Sequence, residues 1–181
     1  MDARKSLSGL FLVIAVATEA AMALSGRGER SVTVHAHGPA GLRIEGKSSD
    51  VSFEQDPFAL IFKVPIAPIE TGIGLRDRHL RDMLEATRFP AAILSVSRSG
   101  LTFPQQGRPA EGTAHGELTL HGRSRPVKVA YRAELGSGGI TSVRGSMQLD
   151  IRDFDVVYPF YLGMTISPQV EIDVELTVDG L

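Results

Sequence analysis

Residues 169–178 alternate without a break: Val170, Ile172, Val174, Leu176 and Val178 are apolar, while Gln169, Glu171, Asp173, Glu175 and Thr177 are polar. Side chains leave a strand on opposite faces with a period of two, so this segment buries one face and wets the other only as a β-strand. Residues 127–135 repeat the pattern, with Val127, Val129, Tyr131, Ala133 and Leu135 set against Lys128, Ala130, Arg132 and Glu134. Two half-apolar strands need partners with matching faces. Shorter alternations at 32–37, 42–45, 50–54, 59–67, 91–98, 113–120 and 140–151 supply them, separated by Gly38-Pro39, Gly100, Gly122 and Gly138-Gly139. Short strands with turns between them predict an all-β sandwich or barrel. Pro65 and Pro68 cannot donate to a ladder, so the strand holding Pro65 is expected at an edge or at a bulge.

One segment keeps a different period. Within GLRDRHLRDMLEATRF, Leu75, Leu80, Met83 and Leu84 recur near helical spacing and the charges fall elsewhere, which predicts one amphipathic helix ending before Phe89-Pro90. A single domain follows from the 181-residue length and the absence of any linker or repeat after Val32.

The N-terminus reads separately. Arg4 and Lys5 precede an apolar run from Leu10 to Ala17, and small residues follow at Ala21, Ala23 and Ser25. This is the pattern of a secretory signal peptide over residues 1–25; the run is too short to span a bilayer. Residues 26–31 are expected to be a disordered leader before a domain covering 32–181. The mature chain, with no membrane span, is expected in a bacterial periplasm. The sequence holds no cysteine, so the core must stabilise the fold without disulfides. A net charge of −2, with Lys and Arg scattered, argues against nucleic acid as a partner.

Three patches in order resemble the YceI-like, lipocalin-like family of exported polyisoprenoid-binding proteins. The first comprises Thr71, Gly72, Arg76, Asp77, His79 and Leu80, followed by Phe89-Pro90. The second is Gly116, Leu118, Thr119, Leu120, His121, Gly122, Arg125, Pro126 and Val127. The third is Arg152-Asp153-Phe154 before the alternating final strand. The resemblance implies an eight-stranded antiparallel lipocalin-like barrel with one short helix at the mouth, and a lumen for a polyprenyl or other long amphiphile. It implies no catalysis and no cofactor. Asp155 stands where the family usually has Gly, and the opening strand lacks the Asp and His that usually precede the position of Ser31.

The residues themselves leave several chemistries to weigh. Phe53, Phe62, Val64, Val129, Tyr131, Ile172 and Val174 are expected to line the lumen, the last four facing the first three. With eight Phe, three Tyr and no Trp in the chain, that lining is aliphatic and smooth, which suits an isoprenoid tail better than a sugar. Local pairs of Asp77 with Arg81 and His79 with Asp82 are expected to satisfy the charged run, and Arg76, Asp77 and His79 are expected to tie the helix over the mouth, with Arg76 and Asp77 paired to loops. A different reading uses His35 and His37, two apart on one strand face, with His115 or His121 as a three-His metal site; against it, the sequence offers no evident carboxylate partner. A hydrolase of unknown substrate is the third reading, although no G-x-S-x-G or H-E-x-x-H is present. The favoured function is non-enzymatic binding of a polyisoprenoid, isoprenoid quinone or similar lipid by an exported carrier or scavenger. A homodimer is compatible with the sequence but not specified by it.

Overall fold

The structure, a computed structural model, describes residues 28–157, 160–161 and 164–179. The expected signal peptide lies outside the described residues. Strands form at β1 (Arg30–His37), β2 (Arg43–Ser48), β3 (Ser52–Gln55), β4 (Ala59–Pro65), β5 (Ala91–Ser97), β6 (Ala110–Leu120), β7 (Arg123–Leu135), β8 (Ile140–Asp150), β9 (Phe160–Tyr161), β10 (Met164–Thr165) and β11 (Gln169–Asp179), with helix α1 at Gly74–Met83. Among the described residues nine strands make one antiparallel sheet in the order β2-β1-β11-β8-β7-β6-β5-β4-β3, and β9 and β10 make a separate ribbon. The strand count departs from the expected eight because one strand is broken.

That break closes the wall. β2 pairs with β1 and β3 pairs with β4, and only Ser49–Val51 separate the two. Ser52 lies opposite Lys63 and Lys47 lies opposite Glu70, so five steps on one side match seven on the other in a single antiparallel direction. Lys47 and Glu70 exchange both backbone hydrogen bonds, at 2.8 and 2.9 Å. β2 and β3 therefore act as the two halves of one wall strand between β1 and β4. The two-residue excess falls on the stretch carrying Pro65 and Pro68. Pro65 is accommodated as the last residue of β4, opposite Ala91, and β4 is an inner strand rather than an edge.

The first strand starts earlier than its alternation does. Arg30 and Ser31, read as leader, pair with Leu176 and Glu175, and Arg30 Nη1 donates to the Val51 carbonyl at 2.9 Å. Polar residues on an outer face carry no hydrophobic signal, so backbone pairing alone decides where such a strand begins.

The β6–β7 connection is a two-residue turn in which His121 and Gly122 have φ of 50° and 72°. Positive φ at both central positions is the hairpin geometry that matches strand twist, and it explains the Leu-His-Gly of the second patch. A Cβ on Gly122 would sit 2.5 Å from the ring of Phe89, so this corner also needs glycine for space. β7 and β8 are laddered only from Ala130–Ser146 to Leu135–Thr141; toward the β6–β7 turn they part, and the one-turn 3-10 helix Ile151–Phe154 packs there. Asp155 follows it with φ 55° and accepts a 2.6 Å hydrogen bond from Arg123 Nε. A glycine would take this conformation freely; aspartate tolerates it and adds a link to the hairpin.

α1 ends before Phe89-Pro90, as its pattern predicts. Leu84 caps it and Glu85 turns to φ 45°, so the helix stops before Thr87 and Phe89 are reached. Leu80 and Met83 pack on the core and Leu84 is buried, whereas Leu75 is 50% exposed, contrary to its place in the apolar stripe.

Candidate functional site

Every strand of the sheet turns alternate residues inward, and these enclose one cavity of about 830 Å³. Phe53, Phe62, Val64, Val129, Tyr131, Ile172 and Val174 all stand on its wall. Alternation places them there because β11 is paired in unbroken register to β1 and β8, so no slip reverses its faces.

The end away from α1 is plugged. Phe53, Leu60, Leu176 and Val178 form a buried cluster against which Phe62 and Val174 pack, and the Phe53 and Phe62 rings lie 5.0 Å apart. The Tyr131 hydroxyl accepts from the Thr102 N–H at 2.9 Å and donates toward the Thr102 carbonyl at 3.3 Å. This pins the segment Leu101–Pro104 along the wall. Nothing periodic marks that loop in the sequence, which is why its lining residues escape a reading based on alternation.

The other end is the mouth. Arg76, His79 and Asp82 line the cavity there, all from α1, while the wall below is aliphatic and aromatic with a few hydroxyls. Asp77 is turned away from the partner expected by helical spacing. Its Oδ1 accepts from the Thr71 N–H at 2.7 Å and from Thr71 Oγ1 at 2.5 Å, and Arg81 Nε instead donates to the Ala67 carbonyl at 3.0 Å. The loop contact expected of Asp77 thus forms, through Thr71, as a helix-to-loop clasp, while Arg81 turns to Ala67 instead of Asp77. The physical reason is the start of the helix: Ile73 at the N-cap offers no side-chain acceptor, and Gly72, with φ 77°, folds Thr71 back toward Asp77. The Thr-Gly-x-x-x-Arg-Asp patch is therefore a structural clasp in which Thr71 donates twice and Asp77 accepts.

The two Thr71 hydrogen bonds, with smaller help from Arg81 and Arg76, hold the Asp77 carboxyl below the usual carboxylate range. A carboxyl whose folded pKa is depressed stabilises the fold above its unfolded value, near 3.8, and this contribution fades as pH falls through the lower folded value. Asp77→Asn should therefore lower stability at neutral pH, and the gap from wild type should shrink in acid. Thr71→Val should reproduce most of the neutral-pH loss, while His79→Gln should change it little. Urea unfolding at neutral and acid pH checks this; a gap that widens in acid excludes the clasp.

The metal reading fails on position. His35 points outward from β1, between Val34 and Ala36, which face the lumen, and its ring lies 3.1 Å from Asp173 Oδ2 and 3.7 Å from Glu45 Oε1. Carboxylates thus flank it after all, brought there by β2 and β11 rather than by sequence neighbours. His115 lies on β6, four strand positions from β1 at roughly 4.8 Å per strand. His121 is at the hairpin tip, with Nδ1 3.1 Å from the Phe154 carbonyl, Nε2 3.2 Å from Glu85 Oε1 and Phe89 edge-on at 5.0 Å. Among the described residues no group of three or more His, Cys, Asp or Glu side chains is arranged to hold a metal ion.

A curled antiparallel wall around one apolar cavity, with a helix across one end, defines a lipocalin-like barrel. The chain belongs to the YceI-like domain family, which matches residues 26–178. Among solved structures it is similar to a polyisoprenoid binding domain from Saccharophagus degradans implicated in plant cell wall breakdown. The TM-score is 0.70 at 15% identity, covering 84% of this chain and 94% of that one. It is also similar to BcnA of Burkholderia cenocepacia, with a TM-score of 0.62 at 18% identity over 81% of this chain and 96% of the other. A YceI protein of Campylobacter jejuni aligns at a TM-score of 0.51 and 18% identity, over 73% and 81% of the two chains. No curated protein matches by sequence.

Proposed function

We propose that this protein binds a long apolar amphiphile in the barrel lumen, a polyisoprenoid, an isoprenoid quinone or a similar lipid, without converting it. It acts as a carrier or scavenger in the periplasm, to which the N-terminal segment directs it. The observation that carries this reading is the lumen itself: about 830 Å³, continuous from the Phe53 cluster to α1, with its charged groups confined to the helix end. Ligand cavities span about 300–1,000 Å³, so the volume suits one folded or partly inserted chain. Burial of hydrocarbon contributes about 0.8 kcal/mol per CH2, so each five-carbon isoprene unit offers roughly 3 kcal/mol before ordering costs. A few buried units suffice for tight binding without a specific headgroup contact. Membership in the family and the polyisoprenoid-binding domain among the structural neighbours support the same reading.

The test is mass spectrometry of organic extracts from the full chain expressed with its leader and purified from the periplasmic fraction. A long-chain lipid near one equivalent per protein is expected. Repeated recovery of folded, lipid-free protein that also fails to take up a polyprenol in titration would exclude the proposal.

A further inference from the structure

The mouth has a property that a closed storage vessel would not need. Leu42, Ile73 and Leu75 line the cavity, yet they are 37%, 49% and 50% exposed. They belong to two segments brought side by side. The Lys47–Glu70 pairing sends the chain before β2 and the chain leading into α1 toward the same end of the barrel. Other exposed apolar residues are dispersed: Phe58 and Ile140 sit at turns of the plugged end, Ile93 on the side wall and Val157 after the 3-10 helix Ile151–Phe154. Single exposed apolar residues are ordinary, but a patch continuous with an apolar lumen marks a surface that meets something apolar.

Arginine prevails among the charges around that patch. Arg43 and Arg78 are exposed beside Leu42 and Leu75, and Arg76 is half-buried at the lumen edge, where it also acts on Asp77. The acid within the same helical turn, Asp77, is buried against Thr71. Glu45 is held by Lys47 at 3.1 Å, Glu70 lies beside Lys47 farther down the wall, and Asp82, exposed at the lumen edge, is one acid against the three arginines. Apolar side chains set among arginines are the chemistry that inserts shallowly into a bilayer interface and is retained by anionic headgroups.

We propose that this rim docks on the surface of an anionic phospholipid bilayer, so that the lumen takes its lipid from the membrane without the tail crossing water. The inference rests on the lipid-binding reading above. Leu42, Ile73 and Leu75 enter the headgroup layer, Arg43, Arg76 and Arg78 meet phosphates, and the aliphatic wall continues directly from the bilayer interior.

Co-sedimentation tests it, using the full-length mature protein with vesicles of phosphatidylcholine alone or mixed with phosphatidylglycerol. Wild type should pellet about tenfold more with the mixed vesicles at low salt, and the difference should collapse at high salt. The I73E/L75E variant should lose most binding to both. R76E/R78E should lose the preference for anionic vesicles. Circular dichroism confirms folding in each case. Wild type that carries lipid in organic extracts but pellets with neither vesicle overturns docking alone. Wild type without extractable lipid, and unable to take up polyprenol, overturns the lumen reading on which docking rests. A dimer in sedimentation velocity that L75E dissolves, with no vesicle binding by wild type, assigns the rim to a second copy of the chain instead.

Discussion

Replacing Ile172 with glutamate is expected to abolish lipid retention while the barrel still folds. Ile172 is on the lumen wall, opposite Val34 on β1 and Met147 on β8, with Val170 and Val174 two residues along on the same face. None of these side chains can donate a hydrogen bond. A carboxylate here either remains charged in an apolar surface or neutralises at a cost, and in both cases it displaces the hydrocarbon tail. Leaving a charge unpaired in an apolar site costs about 3–5 kcal/mol, and every 1.4 kcal/mol is tenfold, so the lipid should bind at least about a hundredfold more weakly. The outward neighbour provides the control. Glu175 faces solvent and pairs with Arg144 at 3.1 Å, so Glu175→Gln should leave lipid content unchanged. Polyprenol titration of both variants, with circular dichroism, measures the effect. A folded Ile172→Glu protein that still carries its lipid would show that the bound tail does not reach this part of the wall.

Phe154→Ala should produce the largest loss of stability of any single truncation at the helix end. Phe154 is 2% exposed, and it packs with Leu149, Ile151, Val156 and Val127 where β7 and β8 have parted. Its carbonyl also meets His121 Nδ1, tying the plug to the β6–β7 hairpin. With the ladder open at this point, no backbone pairing compensates for a lost ring. Truncating a buried phenylalanine costs about 3–5 kcal/mol, which for a chain of this size lowers the melting temperature by roughly 10 °C or more. Because Phe154 fills the gap between strands rather than the lumen wall, Phe154→Ala protein below its transition should still bind polyprenol. A change under about 1 kcal/mol would mean that β7 and β8 hold together without the plug.

The two variants probe features of different legibility. Ile172 was readable because an uninterrupted alternation fixes which side chains share a face, and a curled sheet has only one dry side. Phe154 gave no such signal. Its role follows from the point at which the β7–β8 ladder stops, which depends on strand pairing more than on local pattern.

The same division runs through the site. The alternating residues of β7 and β11 carried their own face assignment, and the Thr-Gly…Arg-Asp and Leu-His-Gly patches marked two corners. Their partners were not marked. Asp77 was expected to meet Arg81 by helical spacing and a loop by its place at the mouth, but which loop residue was not marked; Thr71 meets it, since the positive φ of Gly72 folds the preceding loop back. His35 lacks a carboxylate nearby in sequence, but Glu45 and Asp173 reach it from the adjacent strands. Leu75 reads as core by periodicity and stands at the rim, because α1 lies across an opening and has lumen on only part of its inner side.

By itself the sequence determined what is local and periodic: the β class, the inward set of each long strand, the single helix, the glycine turns, and hence an aliphatic interior. Only the tertiary structure decided what depends on residues distant along the chain. It closed the wall through the broken β2–β3 strand, plugged one end with Phe53 and Val178, and left the other rimmed by exposed leucine, isoleucine and arginine. The physical reason is that a side chain's face follows from its neighbours one and two residues away, whereas its partner across a barrel follows from register, closure and loop path, and many sequences can satisfy these in different ways.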